Sequence, residues 1–305
     1  MTVAATQATT AEASAVKVNK APLRVRRVLL YAFLVFMTVT WLIPLLFAIY
    51  SALRPYGDIT TNGAISLPST LNLDNFFDAW DRGGFPRFYL NSLIVAIPGV
   101  IITLFFASMV AFAVSRFSWR FNLVFLMLFT AGNLLPPQVI IVPLYRLYLL
   151  LPLPAPLSDN GLLYDQYVGI VIIHIAFQTG FCVFVLSNYM KTLSKELTEA
   201  ALVDGAPVWR IYWNIIMPLC RPALAALATL EFTFIYNDFF WALLLMKTGD
   251  KRPITSALNN LQGQFFTDTS VLAAGALLAA IPTIIVYLAL QRHFISGLTL
   301  GSTKG

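Results

Sequence analysis

The residues of this chain equipped for chemistry are few, and they stand inside apolar runs: Asn133, His174, Gln178, Glu231, Asn237 and Asp238, with Tyr236 and Trp241 close to the last two. Amides, carboxylates and aromatic faces together suit a hydroxyl-rich solute, whose hydroxyls need donors and acceptors and whose rings stack on flat faces. The same groups can join helix to helix by hydrogen bonds, and both readings stay open from residue types alone. A reaction is not indicated. There is no GxxxxGK[ST] cradle for a nucleotide, and no Ser-His-Asp or paired-acid arrangement is placed. His174 and His293 fall on different sides in the topology below, so no metal cluster is expected. The chain reads as a non-enzyme that binds neither metal nor cofactor itself.

A second group is set by spacing rather than depth. In SKELTEAALVDGAPVWRIYWNIIMPLCRP, residues 194–222, Glu199-Ala200-Ala201 is followed by Asp204-Gly205, then Ile215, then Pro218. Ser194 can cap a first helix, with Leu197, Ala200, Ala201 and Val208 on a small apolar face and Glu196, Glu199 and Asp204 polar. Gly205 permits a turn, Val208 to Ile216 reads as a second short helix, and Pro218 and Pro222 reset the direction. Two short helices joined at Gly205 make a knob whose alanines let another protein dock closely. A plain amphipathic interfacial loop is the competing reading.

The elements that must position both groups are membrane helices. Hydrophobic residues make up 58% of the 305 and charged residues 11%, against roughly 25% charge in an average soluble domain. Six stretches reach the roughly 20 residues that cross the hydrocarbon: about 28–49, 89–114, 121–143, 168–190, 223–246 and 271–290. The runs are continuous rather than alternating, which selects helices over barrel strands. The chain is therefore all-α and polytopic. The third span carries Gly132, Asn133, Pro136 and Pro137 and is expected to break or kink near its outer end, with 144–156 at the interface. At 1.5 Å per residue, Asn133 lies roughly 18 Å into span three, Gln178 about 15 Å into span four and Glu231 about 12 Å into span five. Polar groups at those depths should face the bundle or an aqueous path.

Arg24, Arg26 and Arg27 directly precede the first span, and the basic residues favour the same side, which puts both termini and the 191–222 loop in the cytosol. The net charge of +6 follows from this orientation rather than from nucleic acid, since no aromatic-interleaved basic patch accompanies it. Residues 1–22 read as a disordered tail, and the long apolar run after Val28 does not read as a cleaved signal. Cys182 and Cys220 fall at different depths, so no disulfide is expected. The outer loop 50–88 is long, with Leu71 to Trp80 readable as a helix exposing Asp74, Asp78 and Asp81; it is either a spacer or a contact for an external partner. Arg116, Arg120 and Lys191 could touch a partner or lipid headgroups.

The order Glu199-Ala200-Ala201, Gly205, Ile215, Met217-Pro218 resembles the "EAA" signature of the membrane subunits of bacterial ABC importers, with Met217 where the family usually has Leu. From about Arg27 onward the chain resembles the six-span permease of the maltose-transporter family. Asn91-Ser92, Ala111-Phe112-Ala113 with Arg116, FTFIYNDF over Phe232 to Phe239, Gln291-Arg292, Gly297-Leu298-Thr299 and Lys304-Gly305 carry that likeness. Many relatives have Trp at the position of Tyr236.

The resemblance implies a type I ABC importer permease fold in the bacterial cytoplasmic membrane. It also implies that the 191–222 loop enters a cleft on an ATP-binding subunit, with Glu199 and Gly205 the positions most tied to docking. A second permease subunit, a dimer of ATPases holding ATP and Mg, an extracytoplasmic solute-binding protein and a carbohydrate are the implied partners. Glycerol phosphate esters are the alternative cargo within the family. An ion-coupled secondary transporter using Glu231 or Asp238, or a membrane anchor without a solute path, are the alternatives outside it.

Overall fold

The computed structural model describes residues 20–132, 136–262 and 267–299. Those residues are predominantly helical, as continuous apolar runs require when each backbone amide must find its partner inside its own segment. Asn133 and the tail through residue 19 lie outside the described residues. Residues 20–22, expected in that tail, already belong to the first helix.

The chain divides into one unit ending at Ala48 and another beginning at Ile49. The first carries most of α1 (Lys20–Ala52), which has no buried residue from Val25 to Tyr50; Ser51 and Ala52 at its end are buried. A helix apolar all round with no buried face has lipid or a partner as its natural surroundings.

The second unit is built on α4 (Phe85–Arg116), α7 (Tyr167–Thr192), α10 (Arg221–Tyr236) and α13 (Thr269–Thr299). Short helices α2 (Tyr56–Asn62) and α3 (Asp74–Arg82) precede α4. Helices α5 (Asn122–Gly132) and α6 (Ile141–Leu150) lie between α4 and α7, α8 (Glu196–Val203) and α9 (Val208–Leu219) between α7 and α10, and α11 (Phe240–Leu245) and α12 (Ile254–Ala257) before α13. On α4, Ala96, Gly99, Val100, Thr103, Ala107, Ser108 and Ala111 recur every three or four residues and are buried. Small side chains let helices approach closely where hydrocarbon supplies no hydrophobic drive between them. A Cβ on Gly99 would stand 3.0 Å from Ile235 Cδ1, which shows how tightly α10 approaches there.

Among the described residues, four helices are long and apolar enough to cross a membrane, and six spans result if each bent pair counts as one. The expected break in span three is present: α5 ends at Gly132, and the segment Pro137–Leu150 runs at 84° to it. Span five differs from the continuous helix expected over 223–246. It begins at Arg221, bends by 75° from α9, and stops at Tyr236; Asn237 to Phe239 interrupt it before α11. Asn237 and Asp238 therefore sit in a break rather than on a helix face. The pattern could not show this, because FTFIYNDFFWALLL is apolar on both sides of the two polar residues.

Two buried clusters stand at opposite ends of the unit. One gathers Phe85, Ile170, Tyr236, Leu245 and Ile254. The other gathers Ala107, Phe112, Cys182, Leu186, Ile211, Tyr212 and Cys220 and supports α8 and α9.

Candidate functional site

Residues 194–222 fold as the spacing predicts, two helices about a turn, and the turn chemistry is explicit. Ser194 Oγ accepts the Glu196 N–H at 3.2 Å and caps α8. At the other end the Gly205 N–H donates to Leu202 O at 3.0 Å and the Ala206 N–H to Ala201 O at 2.9 Å, with Gly205 at φ +74°. That pair of bonds around a left-handed residue is a Schellman closure, and glycine takes the conformation without a Cβ penalty. A Cβ there would meet nothing within 4 Å, so the glycine is required by the backbone of this chain and not by crowding.

The apolar face of α8 is smaller than the pattern suggested. Thr198 and Ala201 are buried, whereas Leu197, Ala200 and Val208 are exposed with Glu199, Asp204 and Gly205. Val203 is 88% exposed. A short helix that buries two small residues and displays Leu197, Ala200 and Val203 beside Glu196 and Glu199 has its larger face open to a partner. Ile215 is half-buried, and Pro218 opens the last turn of α9.

This knob is fastened to the bundle by four hydrogen bonds. Arg116 Nη1 donates to Leu193 O and Ser194 O, each at 3.2 Å. Ser108 Oγ and Tyr212 Oη share a hydrogen bond of 2.7 Å, and Tyr189 Oη donates to Leu219 O at 3.2 Å. A π-helical turn over Ile211–Ile216 turns Ile211, Tyr212 and Ile216 inward while leaving Trp213 exposed. Ser108, Tyr189 and Tyr212 carry no sequence signature and become visible only in the fold. Arg116, a candidate partner or headgroup contact from sequence, is instead spent on the carbonyls that end α7, where a cation also complements the helix dipole.

The candidate solute-path residues divide. Glu231 is fully buried on the face of α10 toward α7, where the Cys182 thiol donates to its Oε1 at 3.1 Å. His174 is 3% exposed, and its Nε2 stands 3.6 Å from Asp238 Oδ2. Asp238 accepts the Trp241 N–H at 3.2 Å and the Ala242 N–H at 3.1 Å, so it caps α11 while facing His174. Trp241 packs against Phe177, with ring centroids 5.2 Å apart, and Tyr236 stacks on Phe232. Gln178 is half-buried one turn along α7, and Asn237 is exposed, donating to Thr233 O at 2.9 Å. The fold thus brings His174, Asp238 and Trp241 together at the break in span five and sets Glu231 apart.

At the end opposite the knob, loops are cross-tied by residues with weak sequence signals. Asn91 donates to the carbonyls of Asp250 and Arg252 at 2.8 and 3.0 Å and accepts Tyr167 Oη at 2.7 Å; the Ile254 N–H donates to Ser92 Oγ. Asp165, at φ +65°, accepts the N–H groups of Lys247 and Thr248 and the Thr248 hydroxyl. Arg54 is fully buried, donating to Asp58, Ser66 and the carbonyls of Gly63 and Ala64. Its neighbours hold the Asp58 carboxyl far below the ordinary carboxylate range, through hydrogen bonds from Ser69, Asn62 and Arg54 in that order. The loop 50–88 is a built structure, not slack chain. Helix Asp74–Arg82 stands where a helix was expected, and Asp74 and Asp81 are exposed on it.

The family model described as "Binding-protein-dependent transport system inner membrane component" matches residues 99–299. A probable ABC transporter permease of Pyrococcus horikoshii is 32% identical over 85% of this chain and 91% of its own length. An arabinooligosaccharides transport system permease of Halalkalibacterium halodurans is 30% identical over 90% of this chain and 94% of its own. Among solved structures, a chain of a bacterial ABC transporter involved in the import of alginate superposes with a TM-score of 0.74 at 23% identity, covering 89% of this chain and 97% of that one.

Proposed function

The chain belongs to the family of binding-protein-dependent transport system inner membrane components, and on that premise we propose that it is the permease subunit of an ATP-driven carbohydrate importer. The observation that carries the proposal is the exposed, bundle-fastened knob at 194–222. It presents Glu199, Ala200, Asp204 and Gly205 around a Schellman turn, with Ala201 packed beneath them and Ile215 and Pro218 in the helix that returns to the membrane. A second permease subunit sits beside this chain, an ATPase dimer holding ATP and Mg docks on the knob, and an extracytoplasmic binding protein delivers the solute. Both termini and the knob face the cytosol of a bacterial cell, the chain crossing the cytoplasmic membrane several times.

Carbohydrate is supported by the arabinooligosaccharide relative and by the chemistry at the span-five break, where an amide, a carboxylate, an imidazole and an indole lie close together. Closure of the ATPases displaces α8, and the hydrogen bonds of Arg116, Tyr189 and Tyr212 pass that displacement to α4 and α7. Helices α7 and α10 meet at the Cys182–Glu231 contact, and the break at 237–239 lets α10 and α11 change their mutual angle. The path between this chain and its partner permease then opens to one side at a time.

The test is uptake by cells carrying the complete transporter, with labelled mono- and oligosaccharides and a glycerophosphodiester offered in turn. Import of a sugar that stops on ATP depletion and survives a protonophore is the expected result. Uptake that follows the ion gradient without ATP contradicts the proposal, and uptake of the phosphodiester alone moves the cargo to glycerol phosphate esters.

A further inference from the structure

Resting on that reading of the 194–222 knob, we infer that Arg116 is a positioning residue that makes the end of α4 and the start of α8 move as one body. Four observations converge on it. Its Nη1 donates to both Leu193 O and Ser194 O at 3.2 Å, bridging the last residue of α4 to the junction between α7 and α8. Ser194 in turn caps α8 through its own Oγ, so two hydrogen bonds in series connect the Arg116 side chain to the Glu196 backbone N–H at the first turn of the knob. The same end of α4 also packs Phe112 against Tyr212 of α9, with ring centroids 5.3 Å apart. One side chain therefore joins the end of one span to the exit of another.

The fourth observation concerns what the guanidinium leaves undone. Arg116 Nε and Nη2 are buried and without hydrogen-bond partners, although a guanidinium carries five N–H donors. Buried donors left idle are costly, so the two bonds from Nη1 hold the guanidinium in place against that cost. The contact is a buried clamp: when α8 is displaced, the two bonds to Leu193 O and Ser194 O carry α4 with it. A lipid or partner contact would need those donors exposed, and they are not.

The experiment is a distance measurement by pulsed electron resonance on the purified complex with its ATPase, needing no solute. Spin labels go on Ala113→Cys of α4 and Leu202→Cys of α8, both exposed positions and neither among the docking residues, while native Cys182 and Cys220 are fully buried. With Arg116 present, the distance distribution stays narrow and unchanged between the nucleotide-free and ATP-vanadate-trapped states. With Arg116→Gln it shifts and broadens on trapping, and Arg116→Lys, whose ammonium can still donate to both carbonyls, restores the narrow distribution. A Gln variant that captures the ATPase and keeps an unchanged distance overturns the inference alone. Failure of the unsubstituted chain to capture any ATPase overturns the reading of the knob and the inference with it. A Lys variant as broad as the Gln variant also overturns it, because loss of packing rather than of the clamp would then explain both.

Discussion

The Cys182 thiol donates to Glu231 Oε1 at 3.1 Å across the seam between α7 and α10, with both side chains fully buried. Glu231→Gln keeps an acceptor for the thiol and is expected to change the thermal stability of the purified chain in detergent by less than about 1 kcal/mol. Glu231→Lys places an ammonium in the same seam with no carboxylate to meet it and should cost about 3–5 kcal/mol, seen as a collapse of the folded yield.

Gly205 separates two effects that substitution usually confounds. Its φ of +74° taxes any L side chain, while open space surrounds the Cβ position. Gly205→Asn should be nearly silent, and Gly205→Ala should cost about 1 kcal/mol, a fivefold to tenfold weakening of ATPase capture. Gly205→Trp should leave the isolated chain about as stable as the Ala variant and abolish capture, since its bulk clashes only once the partner is seated. Titrating labelled ATPase against each variant checks the order.

Asp165 holds the loop after α11 through bonds of 2.8, 2.9 and 2.6 Å to Lys247 N, Thr248 N and Thr248 Oγ. Asp165→Ala removes all three and leaves a non-glycine residue in the left-handed region, so residues 246–252 should lose about 2–4 kcal/mol of local protection. Asp165→Asn tolerates the same φ and keeps one acceptor, and should lose less. Hydrogen exchange resolved to peptides measures both, with α4 as the unchanged reference.

The Asp58 carboxyl predicts a pH dependence for the outer loop. Its folded pKa is depressed, so its stabilising effect is fully present above the unfolded value near 4 and is lost only as pH falls below that toward the folded one. Hydrogen exchange over residues 54–69 should therefore show protection unchanged from about pH 8 to pH 5 after correction for the intrinsic rate. Asp58→Asn should remove most of that protection across the whole range. A loop that opens between pH 7 and 5 in the unsubstituted chain contradicts the assignment.

Sequence reveals the helices because span length and continuous apolarity are direct consequences of the bilayer's thickness and of backbone hydrogen bonding. It reveals the knob because Ser194 and Gly205 are residue types tied to helix ends. It does not reveal the break at Asn237 to Phe239, since apolar residues flank it and the capping of α11 by Asp238 needs three dimensions to be seen. Leu197, Ala200 and Val208 look like a buried stripe by period and are exposed in the fold, because the bundle reaches only Thr198 and Ala201. Arg116 was legible as a charge at a span's end and not as a brace, as its acceptors are carbonyls, which every residue has. Asn91 and Ser92 likewise read as two polar residues at a helix start, yet they fix backbone some 160 positions away, Ser92 to Ile254 for one.

In the proposed importer the 194–222 knob is the surface through which an ATPase drives this chain. Size-exclusion co-elution of the purified chain with its cognate ATP-binding subunit tests it most directly, using the unsubstituted chain, Glu199→Lys and Gly205→Trp with detergent thermal stability recorded for each. The expected result is a joint peak for the unsubstituted chain and separate peaks for both variants, with thermal stability unchanged for Glu199→Lys and lowered by about 1 kcal/mol for Gly205→Trp. Joint elution retained by both variants would contradict the claim.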